Sequence, residues 1–169
     1  APRLLLLHGW DQARFQELRE RFPDSLVALR PPLGTDLRPL IVQGASIFHL
    51  TANYHGYVGE QFALDLIRET HTRLVQAGCR EEVTLIGSGG IAMAEHVPKA
   101  IIAGLDVVAL DTAPLVALQG RLEGECLEWE TAQVSFPRLD AAWGVQRLKN
   151  LAASWHNQLL EILGAMGLR

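Results

Sequence analysis

The sequence predicts an α/β fold built from parallel βα units. Short apolar runs alternate with amphipathic helical patterns along most of the 169-residue chain. The runs are apolar at successive positions rather than at every second one, which is typical of parallel strands buried on both faces. Glycine and proline stand where the patterns change, as expected for turns between strands and helices.

The first two units come from the N-terminal quarter of the chain. Residues 3–9, RLLLLHG, predict a strand, and the charged segment after it predicts a helix with Asp11 as its N-cap. Residues 25–32, SLVALRPP, predict a second strand that is ended by its two prolines, because proline cannot continue a strand ladder. A short helix, DLRPLIVQG, then ends at Gly44.

The third and fourth units are separated by a longer connection. Residues 46–53, SIFHLTAN, predict the third strand, and YHGYVGEQ after it predicts a loop. A long helix is expected over residues 61–77, closed by Gly78 as a C-cap. Residues 83–90, VTLIGSGG, predict the fourth strand and the turn that follows it.

The fifth unit is the last regular one. Residues 93–104, MAEHVPKAIIAG, predict a helix, and residues 107–114, VVALDTAP, predict the fifth strand. Residues 119–140 have mixed polarity with glycine and proline, and predict an irregular segment. Residues 141–166 have apolar positions at helical spacing, which predicts one C-terminal helix, or two with a break near Gly144.

Five predicted strands are compatible with two architectures, an open doubly wound sheet or part of a closed (β/α)₈ barrel. A closed barrel needs eight strands and typically about 250 residues. We therefore expect residues 1–169 to form a single partial barrel domain. The start at Ala1 is expected of a processed terminus or of a piece of a longer protein. Open edges and an uncovered interior predict association with the remaining strands, a partner chain or another copy.

Charge and cysteine content exclude several classes of function. A net charge of -4 without a Lys/Arg run predicts no binding to nucleic acid or to an anionic membrane surface. The run LLLL near the N-terminus is too short to span a membrane. Cys79 and Cys126 are far apart and fit neither a disulfide framework nor a thiolate metal site, which favours a cytoplasmic setting. The six histidines lack metal-ligand spacing, so no metal is expected.

The first candidate site is the turn Gly-Ser-Gly-Gly after the fourth predicted strand. A glycine-rich turn between a strand and a helix exposes backbone N–H groups and the positive end of a helix dipole, which together bind phosphate. The spacing matches neither the dinucleotide fingerprint nor the P-loop. The turn therefore predicts either a phosphate site or simply a tight strand–helix connection. Its residues are Gly87, Ser88, Gly89 and Gly90.

Residues 83–120, VTLIGSGGIAMAEHVPKAIIAGLDVVALDTAPLVALQG, resemble the last two βα units of the FMN-binding (β/α)₈ barrel of the glutamate synthase large-subunit family. The shared pattern is a strand, a Gly-Gly turn, a helix that ends in Ala-Gly, and a strand that continues into TAPLVAL. The helix before it, LIRETHTRLVQAGCREEVTL, and the C-terminal segment are also similar, so the resemblance extends over residues 46–169. The second predicted strand resembles an earlier barrel strand less closely. The five strands would then be strands four to eight.

The resemblance implies a flavin site, because the flavin phosphate of such barrels lies at the ends of strands seven and eight. Backbone N–H groups of the two turns would bind the phosphate, and a threonine hydroxyl would add one donor. A basic side chain after the second predicted strand would lie near the flavin ring, where a fixed positive charge stabilises reduced flavin. The implied cofactor is FMN, and the implied residues are Gly89, Gly90, Ile91, Asp111 and Thr112 for the phosphate and Arg30 for the ring.

Three departures make the family's motifs degenerate here. Arg30 stands where the family has lysine, and arginine is a larger, planar donor. The loop at residues 50–60 carries bulky rings such as Tyr57 in place of a Gly-Gly-Thr-Gly turn, and these rings would fill flavin or substrate space, although His55 could offer a polar group there. Of the three cysteines that bind an iron–sulfur cluster in the synthases only Cys126 remains, so no cluster is expected.

The leading hypothesis is a glutamate synthase-like FMN-dependent oxidoreductase domain that forms the C-terminal part of a flavin barrel. Its rival is a degenerate, non-catalytic module that keeps the fold for assembly or interaction. A third interpretation is a complete small open-sheet domain that binds another phosphorylated ligand at the same turn. The sequence leaves open whether the chain acts as an enzyme.

Overall fold

The computed structural model describes residues 2–123, 133–137 and 140–167. A five-stranded parallel sheet forms its centre, and two short antiparallel ladders accompany it. In chain order the strands are β1 (Leu4–His8), β2 (Leu26–Arg30), β3 (Ile47–Thr51), β4 (Tyr57–Val58), β5 (Gln61–Phe62), β6 (Thr84–Ser88), β7 (Val107–Val108), β8 (Arg121–Glu123) and β9 (Gln133–Ser135). The helices are α1 (Gln12–Arg21), α2 (Arg38–Val42), α3 (Ala63–Gln76), α4 (His96–Ala103), α5 (Thr112–Ala117) and α6 (Ala141–Ala165).

The order of strands in the parallel sheet is β1-β2-β3-β6-β7, so each strand lies beside the next one along the chain that joins this sheet. A doubly wound sheet would instead reverse its order at a switch point. Because crossovers share one hand, a consecutive order places the connecting helices on one face, as in the wall of a (β/α)₈ barrel. The structure therefore confirms parallel βα units in a partial, TIM-barrel-like arrangement with a long C-terminal helix.

The outer face of the sheet is the face that the helices cover. Leu29 pairs with Phe48, and Phe48 pairs with Leu85, so these three side chains lie in one row on this face. They are almost completely buried, in one cluster with Phe15 from α1 and Ile67 from α3. Burial of this row stabilises each strand by about 1.5–3 kcal/mol per large apolar side chain.

The inner face of the sheet is the face that would line a closed barrel. Because side chains alternate along a strand, Leu4, Leu6 and Leu26 point to this face. Leu4 is 48% exposed and Leu26 is 60% exposed, so no element in the described part of the chain covers them. The inner face and the two sheet edges, β1 and β7, are therefore open to a complementary segment.

Local capping explains where the helices begin and end. The Asp11 carboxylate accepts a hydrogen bond from the Arg14 N–H at 3.0 Å, so this aspartate is the N-cap of α1, as the sequence predicts. Gly78 follows α3 with a φ of +71°, a conformation that glycine adopts without strain. Helix α6 begins after Asp140 and runs through Gly144 without interruption, which selects the single-helix alternative.

Two connections differ from the sequence-based expectation. Strands β4 and β5, of two residues each, form a hairpin at the predicted loop. Its two-residue turn contains Gly59 at a φ of +58°. The hairpin uses Gln61 and Phe62, so α3 begins two residues later than predicted. Within residues 119–140, the expected irregular segment, β8 and β9 pair in antiparallel fashion; Cys126 lies outside the described residues.

Arg80 forms hydrogen bonds that link α3 to the amino ends of β6 and β7. Its guanidinium donates to His71 Nδ1 at 3.0 Å and to the carbonyl oxygens of Val83 and Gly104 at 3.1 and 2.9 Å. It also forms an ion pair with Asp106 at 2.8 Å, and the other carboxylate oxygen of Asp106 accepts from the Leu85 N–H at 2.7 Å. In this network, the Arg80 cluster, the Arg80 side chain is only 11% exposed and its guanidinium is shielded from water, whereas the Asp106 side chain is 41% exposed.

Candidate functional site

The glycine turn lies at the carboxyl end of β6, in close contact with the loop that follows β3. Gly89 and Gly90 have φ values of +100° and +70°. A Cβ atom at Gly89 would collide with the carbonyl group of Ala52, and one at Gly90 would lie 2.5 Å from the Gly56 Cα atom. Both glycines are therefore required by backbone packing, which is a structural reason for them that is independent of any ligand.

The same turn presents a group of backbone donors. Among the described residues, no acceptor is found for the N–H groups of Gly89, Gly90 and Ile91. Unpaired backbone N–H groups that are shielded from water are rare in folded proteins, since each costs free energy comparable to a lost hydrogen bond. The turn thus offers three neighbouring donors to an acceptor from outside the described residues, such as a phosphate oxygen.

The turn after β7, which the resemblance assigns to the phosphate site together with the glycine turn, carries the carboxylate of Asp111. Asp111 caps α5, and its Oδ1 atom accepts from the Thr112 N–H at 2.5 Å and from the Thr112 hydroxyl at 3.0 Å. The other oxygen, Oδ2, is buried and has no hydrogen-bond partner among residues 2–123, 133–137 and 140–167. Both donors of Thr112 are therefore occupied, and a negative charge lies where the resemblance implies a phosphate.

A row of polar side chains crosses the inner face near the carboxyl ends of β2, β3 and β6. Arg30 Nη2 lies 3.3 Å from His49 Nδ1, and His49 Nε2 lies 2.9 Å from Ser88 Oγ. Burial lowers the pKa of His49 to about 4, with smaller contributions from the positive charge of Arg30 and from His8. His49 is therefore neutral at pH 7. Ser88 lies with its side chain in this row rather than in the glycine turn.

We expect the free energy of unfolding to fall by about 2 kcal/mol between pH 6.5 and pH 4 because of His49. In the unfolded chain the imidazole takes up a proton below its ordinary pKa of 6.5, whereas folded His49 stays neutral until its own pKa of about 4. Its contribution to stability is thus complete above pH 6.5 and is lost as the pH falls through this window. Full linkage would give ~3 kcal/mol, and solvent screening at a half-buried side chain reduces it.

Urea unfolding at a series of pH values measures this effect, with His49→Gln as the comparison. Glutamine does not titrate, while the carboxylates that also respond to acid are common to both proteins. The difference in slope between the two proteins isolates the imidazole. Equal slopes would show that His49 is accessible to protons in the folded chain.

The loop between β3 and α3 is held by an asparagine. Asn53 Oδ1 accepts from the N–H groups of His55 and Tyr57, at 3.0 and 2.9 Å. Tyr57 packs its ring against Phe62 of the hairpin, at 5.5 Å between ring centroids. Asn53 and Tyr57 therefore shape the loop that carries the glycine contact, and Tyr54 is buried at the same place.

A cavity of about 220 Å³ lies beneath the glycine turn on the outer face. Leu50, Ile67 and Leu105 form its apolar walls. Lys99 at its rim pairs with Glu95 at 2.7 Å. Ser88 of the polar row and the glycines of the turn also line this cavity, whereas Arg30 and His49 are not among its lining residues.

Sequence reasoning missed two of the interactions in this region. The contact between His49 and Ser88 joins strands that are distant in the chain, and only the alternation of side chains along β3 could have pointed to it. The capping role of Asp111 was also missed, although an aspartate directly before Thr-Ala-Pro is a helix-start signal.

The described residues hold no cluster of three or more His, Cys, Asp or Glu side chains that could bind a metal ion. In the same part of the chain, no helix is long and apolar enough to cross a membrane.

Five parallel strands in consecutive order, with donors gathered at their carboxyl ends, define part of a parallel βα barrel whose site lies at the mouth. A family model described as the conserved region in glutamate synthase matches residues 51–169. The chain belongs to this glutamate synthase family.

Curated relatives of the chain are archaeal-type glutamate synthases. The archaeal glutamate synthase (NADPH) of Methanocaldococcus jannaschii is 39% identical over 103 residues, a match that covers 57% of this chain and 20% of the relative. The archaeal-type glutamate synthase (NADPH) of Thermotoga neapolitana is 34% identical over 115 residues and covers 64% of this chain and 22% of the relative. The chain therefore spans about a fifth of the length of these relatives.

Solved structures support the fold. A structure described as a lactate oxidase of Pediococcus acidilactici superposes with a TM-score of 0.56 at 18% identity, over 92% of this chain and 37% of that one. FabK from Thermotoga maritima superposes with a TM-score of 0.51 at 16% identity, over 71% of this chain and 36% of the other. At these identities the likeness concerns the TIM-barrel fold alone.

Proposed function

We propose that the chain is the C-terminal part of the FMN-binding barrel of a glutamate synthase-like oxidoreductase. The observation that carries the proposal is the group of three backbone N–H groups, at Gly89, Gly90 and Ile91, that find no acceptor in the part of the chain that the structure describes. They follow a strand of a partial barrel, where phosphate sites of this fold occur. Membership of the glutamate synthase family supports a flavin as the ligand.

The residues of the glycine turn fit a phosphate, whereas Asp111 and Thr112 on the other side of the proposed site do not. The three N–H groups of the glycine turn would hold the phosphate, with the dipole of the following segment aiding them little, since α4 begins only at His96. Thr112 would contribute only if Asp111 released its donors. In this proposal the glycine turn holds the phosphate, and Asp111 weakens the binding.

Arg30 is the group that would face the flavin ring. It lies on the inner face at the carboxyl end of β2, and its charge is not paired with any carboxylate among the described residues. Bound FMN would supply electron transfer between a donor and a substrate. The Arg30 guanidinium would offer a positive charge to the electron-rich ring edge.

The barrel is completed, in this proposal, by strands that this chain does not contain. The open edges β1 and β7 and the uncovered inner face fit three further βα units, from the same polypeptide or from a partner chain. Association of two copies through the inner face would cover the apolar side chains there, but it would not close an eight-stranded barrel. We place the assembly in the cytoplasm, in line with the scarcity of cysteine.

A non-catalytic module is the second candidate function. The observation that favours it is the occupied Thr112, together with Tyr57 in the place of a small residue. Such a module would keep the fold for assembly and bind no flavin. The two candidates differ in whether FMN binds at the glycine turn.

A fluorescence titration with FMN tests the proposal, and we expect saturable quenching that Asp111→Asn strengthens roughly tenfold. Asparagine keeps the cap of α5 but removes the charge that opposes a phosphate. Asp140→Asn is the matched control, since Asp140 is also an N-cap, accepting from the Trp143 N–H of α6 at 2.7 Å, and we expect no change in affinity. Riboflavin, which lacks the phosphate, should bind weakly and equally to all three proteins.

Two results would count against the proposal. Riboflavin binding as tight as FMN binding would show that the turn does not hold a phosphate. Absence of FMN binding in a chain supplied with the remaining barrel strands would favour the non-catalytic module.

A further inference from the structure

Arg30, His49 and Ser88 lie in one row on the inner face, although they belong to three different strands. Alternation along each strand sends Leu29, Phe48 and Leu85 of the same strands to the outer face. The contacts within the row are 3.3 Å from Arg30 to His49 and 2.9 Å from His49 to Ser88. The row is therefore a product of strand register and not of local sequence.

The chemistry of arginine fixes the direction of the hydrogen bonds in this row. A guanidinium donates and cannot accept, so His49 Nδ1 must be the acceptor and carries no proton. The proton of the neutral ring is then on Nε2, which donates to Ser88 Oγ. Because the serine oxygen accepts from the ring, its own O–H is directed elsewhere.

Two donors of the row are left without an acceptor. Arg30 Nε is buried and has no hydrogen-bond partner within the described part of the chain. Among the described residues, the Ser88 hydroxyl also finds no acceptor. The inner-face side chains around them, such as Ala28, Thr51 and Ile86, bring no carboxylate. The Arg30 guanidinium and the Ser88 hydroxyl thus lie on the inner face without a compensating anion among the described residues.

We propose that Arg30 and Ser88 form a binding site for one anionic oxygen, and that neutral His49 is the positioning residue that aligns the two donors. The ligand class is a carboxylate or the anionic ring edge of a reduced flavin, which share this chemistry. The site uses the side chain of Ser88 and not the backbone donors of the glycine turn, and only its assignment to a flavin ring rests on the proposed function. A protonated His49 would lose the acceptor for Arg30 and place a second positive charge beside it, so the site requires the neutral ring.

The arrangement of protons is tested first, in the intact chain without flavin. Nuclear magnetic resonance of the protein with ¹⁵N-labelled histidine reports which ring nitrogen carries the proton. We expect the Nε2–H form of His49 at pH 7. The Nδ1–H form, or a protonated ring, would overturn the proposal because neither can accept from Arg30.

Binding is tested with acetate as a minimal carboxylate and with lumiflavin as a flavin ring without a phosphate. We expect acetate to shift the Arg30 Nε–H and His49 signals in a saturable way. Ser88→Ala should weaken acetate binding about fivefold, and His49→Ala about tenfold. His49→Gln keeps one acceptor and one donor and should stay within about threefold of the original. Ser25→Ala, at the amino end of β2 where Ser25 bonds to the Pro2 carbonyl oxygen, should have no effect.

The outcomes separate this site from the proposed function. Acetate binding in a chain that does not bind FMN would support the anion site and remove its assignment to flavin. Lumiflavin binding that depends on His49 and Ser88 would support the assignment to the ring. Acetate that leaves the Arg30 and His49 signals unchanged, or His49→Gln as damaging as His49→Ala, would refute the positioning role, and correct spectral dispersion confirms that each variant is folded.

Discussion

Replacing Gly89 with alanine is expected to lower the free energy of unfolding by about 4 kcal/mol. The backbone at Gly89 has a φ of +100°, and this conformation costs an L-residue about 1–2 kcal/mol. The new methyl group would also collide with the carbonyl group of Ala52, and overpacking of this kind costs about 1–3 kcal/mol. Urea unfolding followed by circular dichroism measures the sum of the two effects.

Gly78→Ala is the matched control for this prediction. Gly78 also has a positive φ, +71°, but a Cβ atom there would meet no other atom within 4 Å. We expect this variant to lose only about 1 kcal/mol, so the difference between the two variants measures the collision with the loop after β3. If both variants lost the same free energy of unfolding, the close approach of Ala52 to residue 89 would contribute nothing to the destabilisation. The comparison also shows that substitutions at the turn perturb the fold and are poor tests of phosphate binding.

Removing the Arg80 side chain, as in Arg80→Ala, should lower the free energy of unfolding by about 3 kcal/mol. The substitution deletes hydrogen bonds to His71, Val83 and Gly104 together with the ion pair to Asp106. Two carbonyl oxygens and a carboxylate would then lose a shielded donor, and each such loss is costly in a region that water reaches poorly. Thermal or urea unfolding provides the measurement.

Arg38→Ala provides the contrast for the Arg80 cluster. Arg38 pairs with Asp36 at 2.7 Å, but both side chains are largely exposed. Exposed ion pairs contribute little, so we expect a much smaller loss than for Arg80→Ala. An effect of similar size at Arg38 and Arg80 would contradict the view that shielding makes the Arg80 cluster strong.

Much of the fold could be predicted because its signals are local. Apolar runs marked all five parallel strands, and Asp11 marked the start of α1. The order of the strands is a tertiary property, so the sequence left the open sheet and the barrel as alternatives until the consecutive order decided between them. The hairpin of β4 and β5 was missed because each strand has only two residues, too few for an alternating pattern.

The candidate site was predicted in part for the same reason. The glycine turn and Arg30 follow apolar strands directly, so their position at the strand ends could be inferred. The role of His49 could not, because its partners Arg30 and Ser88 lie on other strands and are set by register. The competition between Asp111 and a phosphate for Thr112 depends on side-chain geometry that no spacing rule encodes.

Strand β6 joins the parallel sheet across a longer stretch of chain than any other strand in it. The pairing of Ile47 with Thr84 must enclose the hairpin and all of α3, whereas Leu4 reaches Leu26 across α1 alone. Closing a longer loop costs more entropy and is slower, so β1, β2 and β3 should assemble before β6 docks. We therefore expect the contact between the glycine turn and Ala52 to form late in folding, together with the docking of β6.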